Sequence, residues 1–279
     1  MSGRAPGANA AQTVAVHPPL SVAITTIGVI AVAMVGSTIS SQLVDLDIAD
    51  ISGGFSVSAD DASWIASVAT MAEVVSIPIA AILVRALSLR RVAVYSAALY
   101  VVCACLSLLV SREDGLIVLR AMQSFCSGTM SVLMFVSVMA TLPPGFARSV
   151  GLALFAFAST APTALNASVG AFVTERWGWQ GLYFFDMAWS LTFLALAWRF
   201  LRPAPRAMRL SEIDWLGYVI LAIGLAAFIM FMKQGDRFFW LDNPAIRHAG
   251  LLAAIGIPLA LVLFLVRQRP LLDLGLMAT

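Results

Sequence analysis

Eight long apolar stretches, separated by short polar breaks, constrain this chain more than any other feature: 20–43, 62–84, 92–110, 116–141, 148–173, 181–201, 214–233 and 246–266. A helix needs about 20 consecutive apolar residues to cross a bilayer core, and each stretch comes close to that length. The stretches are apolar nearly all round, whereas a helix on the surface of a water-soluble domain keeps one polar face. Lipid therefore surrounds them. Backbone groups in lipid must be paired internally, and no alternating barrel-type strands are visible, so the spans are helices. The expected fold class is all-α and transmembrane, a six-helix bundle plus an additional two-helix hairpin.

Charge placement gives the orientation. Only 11% of the residues are charged, against roughly 25% in an average soluble chain. With the N-terminus placed inside, the inner segments hold Arg4, Arg85, Arg90, Arg91, Arg148, Arg199, Arg202, Arg206, Arg209, Arg267 and Arg269. The outer ones hold Arg112, Arg176, Lys233, Arg237 and Arg247, and most of the acids. Basic residues favour the cytoplasmic side, so both termini are expected in the cytoplasm, with the chain in the inner or plasma membrane. A net charge of +2 and the lack of a basic stripe beyond the short inner loops exclude a nucleic-acid partner.

Enzyme chemistry finds no support. His17 and His248 fall in a tail and at an interface, which leaves no histidine-based triad or intramembrane zinc site. Cys103, Cys105 and Cys126 lie within spans without metal-ligand spacing, and the glycines do not follow a strand as phosphate loops require. No metal or organic cofactor is expected.

The polar breaks divide the chain. Residues 1–19 form a cytoplasmic tail, 20–201 a six-span bundle, 202–213 a linker with Pro203 and Pro205, 214–266 a hairpin of two spans, and 267–279 a cytoplasmic end leading towards further spans. Polar groups inside the spans are the site candidates, because an ionisable group in hydrocarbon costs several kcal/mol unless sheltered. Glu73 sits near the middle of span two, before Pro78. It reads either as a carboxylate that exchanges protons in a wet crevice or as a neutral acid in one interhelical hydrogen bond. Arg120 lies inside span four with Gln123 three residues on, on the same helical face. A guanidinium cannot shed its proton, so Arg120 meets a carboxylate, a carbonyl or water, or snorkels to the interface. Thr38, Gln42 and Asp45 follow one another on one face of span one, as a cavity-lining stripe or a wet helix end. In span five, Pro162, Asn166 and Gly170 share a face suited to bending and close approach. Asp186 stands early in span six, at an interface or in a pore.

Several of these segments together resemble the major facilitator superfamily, within it the fourteen-span drug:proton antiporter branch. The span-one exit reads Gly36-Ser37-Thr38-Ile39-Ser40-Ser41 and then Asp45-Leu46-Asp47-Ile48-Ala49-Asp50, followed by Trp64; the loop after span two carries Arg90-Arg91-Val92. Span four gives Arg120-Ala121-Met122-Gln123-Ser124, similar to the family's Arg-x-x-Gln-Gly. Trp177-Gly178-Trp179-Gln180-Gly181 precedes span six and Asp214-Trp215-Leu216-Gly217 opens span seven. The resemblance covers about 20–279 and only eight of fourteen spans. It departs from the pattern at Ser88 and Arg85, where the loop's signature has Gly and Asp. It departs again at Ser124, at Ala161-Pro162, and in the lack of an Asp near Gly36.

The resemblance implies a secondary transporter that exports amphipathic organic compounds in exchange for protons, the proton being the coupling ion. Glu73, Arg120 and Asp45 would serve proton coupling. Thr38, Gln42, Gln123, Asn166 and Asp186 would line the substrate cavity, and Arg90, Arg91, Pro162 and Gly170 would serve gating and helix packing. Facilitators rock two six-helix halves about a midplane site; this chain carries one half plus the hairpin. It is therefore expected either as a fragment or beside a chain supplying the missing C-terminal half. The implied partners are the lipid bilayer and a small organic substrate. The alternatives are a carrier for one specific metabolite and a non-transporting assembly partner.

Overall fold

The computed structural model describes residues 18–46, 59–110, 112–178, 180–203 and 208–266. These fold into eight α-helices, and no strand occurs among the described residues. The helices are α1 (Leu20–Leu46), α2 (Ala59–Leu87), α3 (Leu89–Ser107), α4 (Glu113–Thr141), α5 (Phe146–Trp177), α6 (Gln180–Phe200), α7 (Trp215–Gln234) and α8 (Pro244–Val266). All but α5 and α6 are long and apolar enough by themselves to cross a membrane, and α5 joins them as a span bent by 50° between Leu165 and Ser168. The bend follows Pro162, which lacks the N–H that would bond back to Ala158 and crowds the preceding turn.

Burial sorts the helices into an inner pair and an outer rim. Just over half (56%) of the apolar window is buried in both α1 and α4, against 17% in α7 and 22% in α8. α4 packs on α1, α2 and α3, while α1 also holds α5 and α6, and α6 closes against α3. Ile30, Met34, Ala93, Leu133, Met134, Val138, Phe193 and Ala197 form the main core between these elements. In lipid the gain comes from close contact rather than from leaving water, which favours small residues at the crossings. Gly128 on α4 is one: a Cβ there would stand 2.5 Å from the Glu73 carbonyl oxygen and 2.2 Å from Ser76 Oγ on α2.

The α2–α3 connection is shorter than the apolar pattern suggests. α3 starts at Leu89, so one residue, Ser88, turns the chain between two spans. Ser88 does this at φ 92° and ψ 151°, a conformation nearly confined to glycine, and it is buried.

The α7–α8 hairpin docks along α2. Asp214 caps α7 by accepting the Gly217 N–H at 3.1 Å. The Tyr218 hydroxyl donates to the Val75 carbonyl at 3.3 Å, and at the other end of α7 the Gln234 amide donates to Ser67 Oγ at 2.8 Å and Ser63 Oγ at 3.3 Å. Gly224 and Gly256 let α7 and α8 touch backbone to backbone, with a Gly256 Cβ only 3.2 Å from the Gly224 Cα.

Candidate functional site

One face of α4 carries Arg120, Gln123, Ser124 and Ser127 at helical spacing, all of them buried. α4 lies between α1, α2 and α3. Arg120 is 1% exposed, two turns into the helix. It donates through Nη2 to the Ser40 carbonyl of α1 at 3.0 Å and reaches Asp186 Oδ2 of α6 through Nη1 at 3.8 Å. Asp186 is itself 1% exposed and also accepts from the Tyr100 hydroxyl of α3 at 3.5 Å. Four helices thus contribute to one polar cluster inside an apolar bundle. The arginine does not snorkel, and Asp186 lies in the bundle interior rather than at an interface.

The contacts to Asp186 are long, and beside them is space. A cavity of about 20 Å³ is lined by Ser37, Ser40, Tyr100, Asp186, Trp189 and Ser190 among others. A single water needs at least ~10–15 Å³; this cavity has that volume, and its open wall is apolar. Trp189 leans on Gly36, where a Cβ would sit 1.3 Å from the indole Nε1. That Nε1, both amide atoms of Gln123 and Ser124 Oγ are buried without a hydrogen-bond partner among the described residues. Buried polar groups are paired in the great majority of cases, so these unpartnered atoms on α4 and α6 mark places built for more than packing.

The other candidates spread around this cluster. Glu73 is half-buried on α2, at the Gly128 crossing, and it is not among the residues lining the Asp186 cavity. Thr38 is half-buried, its hydroxyl donating to the Met34 carbonyl of its own helix at 2.8 Å. Gln42 and Asp45 continue α1, and Asn166 lies in α5; their side chains fall outside the described residues, as do Asp47 and Asp50 entirely. Pro162 and Gly170 are buried on α5. Arg90 ties α3 to α6 by donating to the Trp198 carbonyl at 2.9 Å, and Arg91 reaches the Leu87 carbonyl at 3.4 Å.

Three residues of the cluster were not singled out from sequence as site residues: Tyr100, Ser40 and Trp189. Tyr100 shares a buried face of α3 with Ala93, Ala97, Ala104 and Ser107, a run of small residues interrupted by one large hydroxyl-bearing ring. That interruption was the available signal. A much larger cavity, about 600 Å³ between α7 and α8, is apolar and lies apart from the cluster.

An all-helical bundle of span-length apolar helices with a charged and amide-bearing cluster enclosed within it defines a polytopic membrane protein. The chain matches the Major Facilitator Superfamily over residues 22–278 and belongs to that superfamily. It is 23% identical over 246 residues to the fatty acid resistance protein FarB of Neisseria gonorrhoeae, covering 86% of this chain and 48% of that protein. The colistin resistance protein EmrB of Acinetobacter baumannii is 25% identical over 239 residues, 84% of this chain and 46% of the relative. The multidrug export protein EmrB of Escherichia coli (strain K12) is 21% identical over 238 residues, 85% and 46% respectively. The chain spans about half the length of the curated relatives it matches.

Proposed function

We propose that this chain forms the working half of a secondary efflux transporter that exchanges protons for amphipathic organic compounds. The observation that carries the proposal is the enclosed Arg120–Asp186–Tyr100 cluster with the unpartnered Gln123 amide one turn away. Relatives named for resistance to a fatty acid or to colistin, and for multidrug export, support an amphipathic rather than a small polar substrate.

In this reading Arg120 holds Asp186 as its counter-ion and anchors α4 to α1 and α6. Glu73, half-buried and close to the helix crossing at Gly128, takes a proton from one side and releases it on the other. Substrate competes with that proton, since binding a cationic head beside Glu73 favours the ionised carboxylate. The Gln123 amide and Ser124 hydroxyl orient the polar end of the substrate. Both termini face the cytoplasm, by the placement of basic residues at the shared end of α1, α3 and α6.

Proton-driven accumulation of a fluorescent amphipathic cation in everted membrane vesicles tests this. In the complete transporter Glu73→Gln abolishes the gradient-driven component while dye binding persists. Uptake unchanged in Glu73→Gln removes Glu73 from coupling; breadth across a panel of unrelated amphiphiles separates export of this kind from a carrier for one metabolite.

A further inference from the structure

A third cavity opens at the end of the bundle where α1 and α3 begin and α6 ends. It measures about 390 Å³ and is lined by Ser21 and Thr25 of α1, Arg90 of α3, Trp198 and Arg199 of α6, and Arg202 just beyond. Three arginines line it, and among the described residues its lining holds no acid. Like charges gathered this way repel one another unless an anion sits among them.

Two of the three are held in fixed orientation. Arg90 donates to the Trp198 carbonyl at 2.9 Å and stacks its guanidinium 5.2 Å from the centre of the Trp198 ring. Arg199 lies 5.4 Å over the ring of Phe200. Stacking on an aromatic face orients the planar guanidinium fork, whose remaining N–H groups suit phosphate oxygens.

Apolar surface borders the cavity. Trp198 and Phe200, which line it, are 65% and 46% exposed, and on α1 Leu20 and Ile24, each one residue before the lining Ser21 and Thr25, are 63% and 61% exposed. Exposed tryptophan at the end of a span marks the depth of lipid headgroups. A soluble anion would use the guanidinium groups and leave this apolar lip idle. A phospholipid uses both, with phosphate among the arginines and acyl chains along Leu20 and Ile24.

We propose that this cavity is a binding site for an anionic phospholipid of the cytoplasmic leaflet. Lipid-exposed helices sort lipids weakly, by general surface charge; this site adds oriented donors and a bounded volume. Its occupant pins the start of α1 and α3 to the end of α6, the same three helices that supply Ser40, Tyr100 and Asp186 further along.

The test uses the purified chain in detergent, with its thermal unfolding midpoint followed against added short-chain lipid. Dioctanoyl phosphatidylglycerol raises the midpoint saturably, dioctanoyl phosphatidylcholine does so at least tenfold less potently, and inorganic phosphate does not reproduce the shift. The pair Arg199→Gln with Arg202→Gln weakens the phosphatidylglycerol effect at least tenfold while leaving the lipid-free midpoint in place. Arg202→Gln alone, at an exposed position, gives an intermediate loss and serves if the pair unfolds. Equal responses to the two lipids, or an unaltered response in both variants, overturn the proposal. A full shift from inorganic phosphate overturns the lipid assignment in favour of a soluble anion.

Discussion

Removing one partner of the Arg120–Asp186 pair should damage the fold more than removing both. At 3.8 Å two unit charges attract by about 4 kcal/mol at an effective dielectric constant of 20. Burying both costs a similar amount, so the intact pair contributes little net stability. A single neutralisation is different, because it leaves a buried charge without its counter-ion, and such losses run to about 3–5 kcal/mol. Asp186→Asn leaves Arg120 with the Ser40 carbonyl among its anchors, and Arg120→Gln leaves Asp186 with the Tyr100 and Ser40 hydroxyls. Each single variant should therefore lose on the order of 3 kcal/mol, and the double variant clearly less than their sum, with a coupling of about 2 kcal/mol. The assay is reversible unfolding of the purified chain in mixed micelles, with tryptophan fluorescence reporting the transition. Additive losses, or single variants within about 0.5 kcal/mol of the parent, would refute the claim that these groups face each other across the bundle.

Three further outcomes follow from the packing. Ser88→Gly should stabilise the chain by about 1 kcal/mol, since it relieves a positive-φ residue between two spans; the unfolding midpoint checks it, and destabilisation would contradict the geometry. Gly128→Ala should lower stability by about 1–3 kcal/mol, because the added carbon meets the Glu73 backbone oxygen as well as Ser76 Oγ, and the backbone cannot swing aside as a hydroxyl can. Gln234→Leu should loosen the hairpin from α2 by roughly 1–2 kcal/mol, leaving Ser63 and Ser67 without their shared donor; faster proteolysis at the 203–214 connection than in the parent is the readout, and unchanged cleavage would argue against that docking.

Much of the fold was legible because the hydrocarbon region leaves few options: apolar runs of span length become helices, and all eight fall within a few residues of the expected limits. The ends shifted where local chemistry overrode composition. α3 begins at Leu89 although Arg90 and Arg91 read as loop, because arginine stems extend along the helix end while their heads find the Trp198 and Leu87 carbonyls. Of the cluster, Arg120 and Gln123 were legible from span depth and spacing. The partner of Arg120 was not: Asp186 is on another helix, and apolar residues surround most spans, so no amphipathic stripe fixes how each helix is rotated. Tyr100 was hidden for the same reason, a polar tip on a residue that packs like a hydrophobe. The turn at Ser88 was visible only as a serine standing where the resembling family has glycine.

The central claim is that a sheltered carboxylate gives up its proton when substrate binds, and proton release measures that directly. Purified complete transporter in weakly buffered detergent solution, mixed with an amphipathic cation, should acidify the medium in proportion to the substrate bound. Glu73→Gln should bind the same cation with no release. Binding without any release in the parent protein, or equal release in Glu73→Gln, would contradict the account.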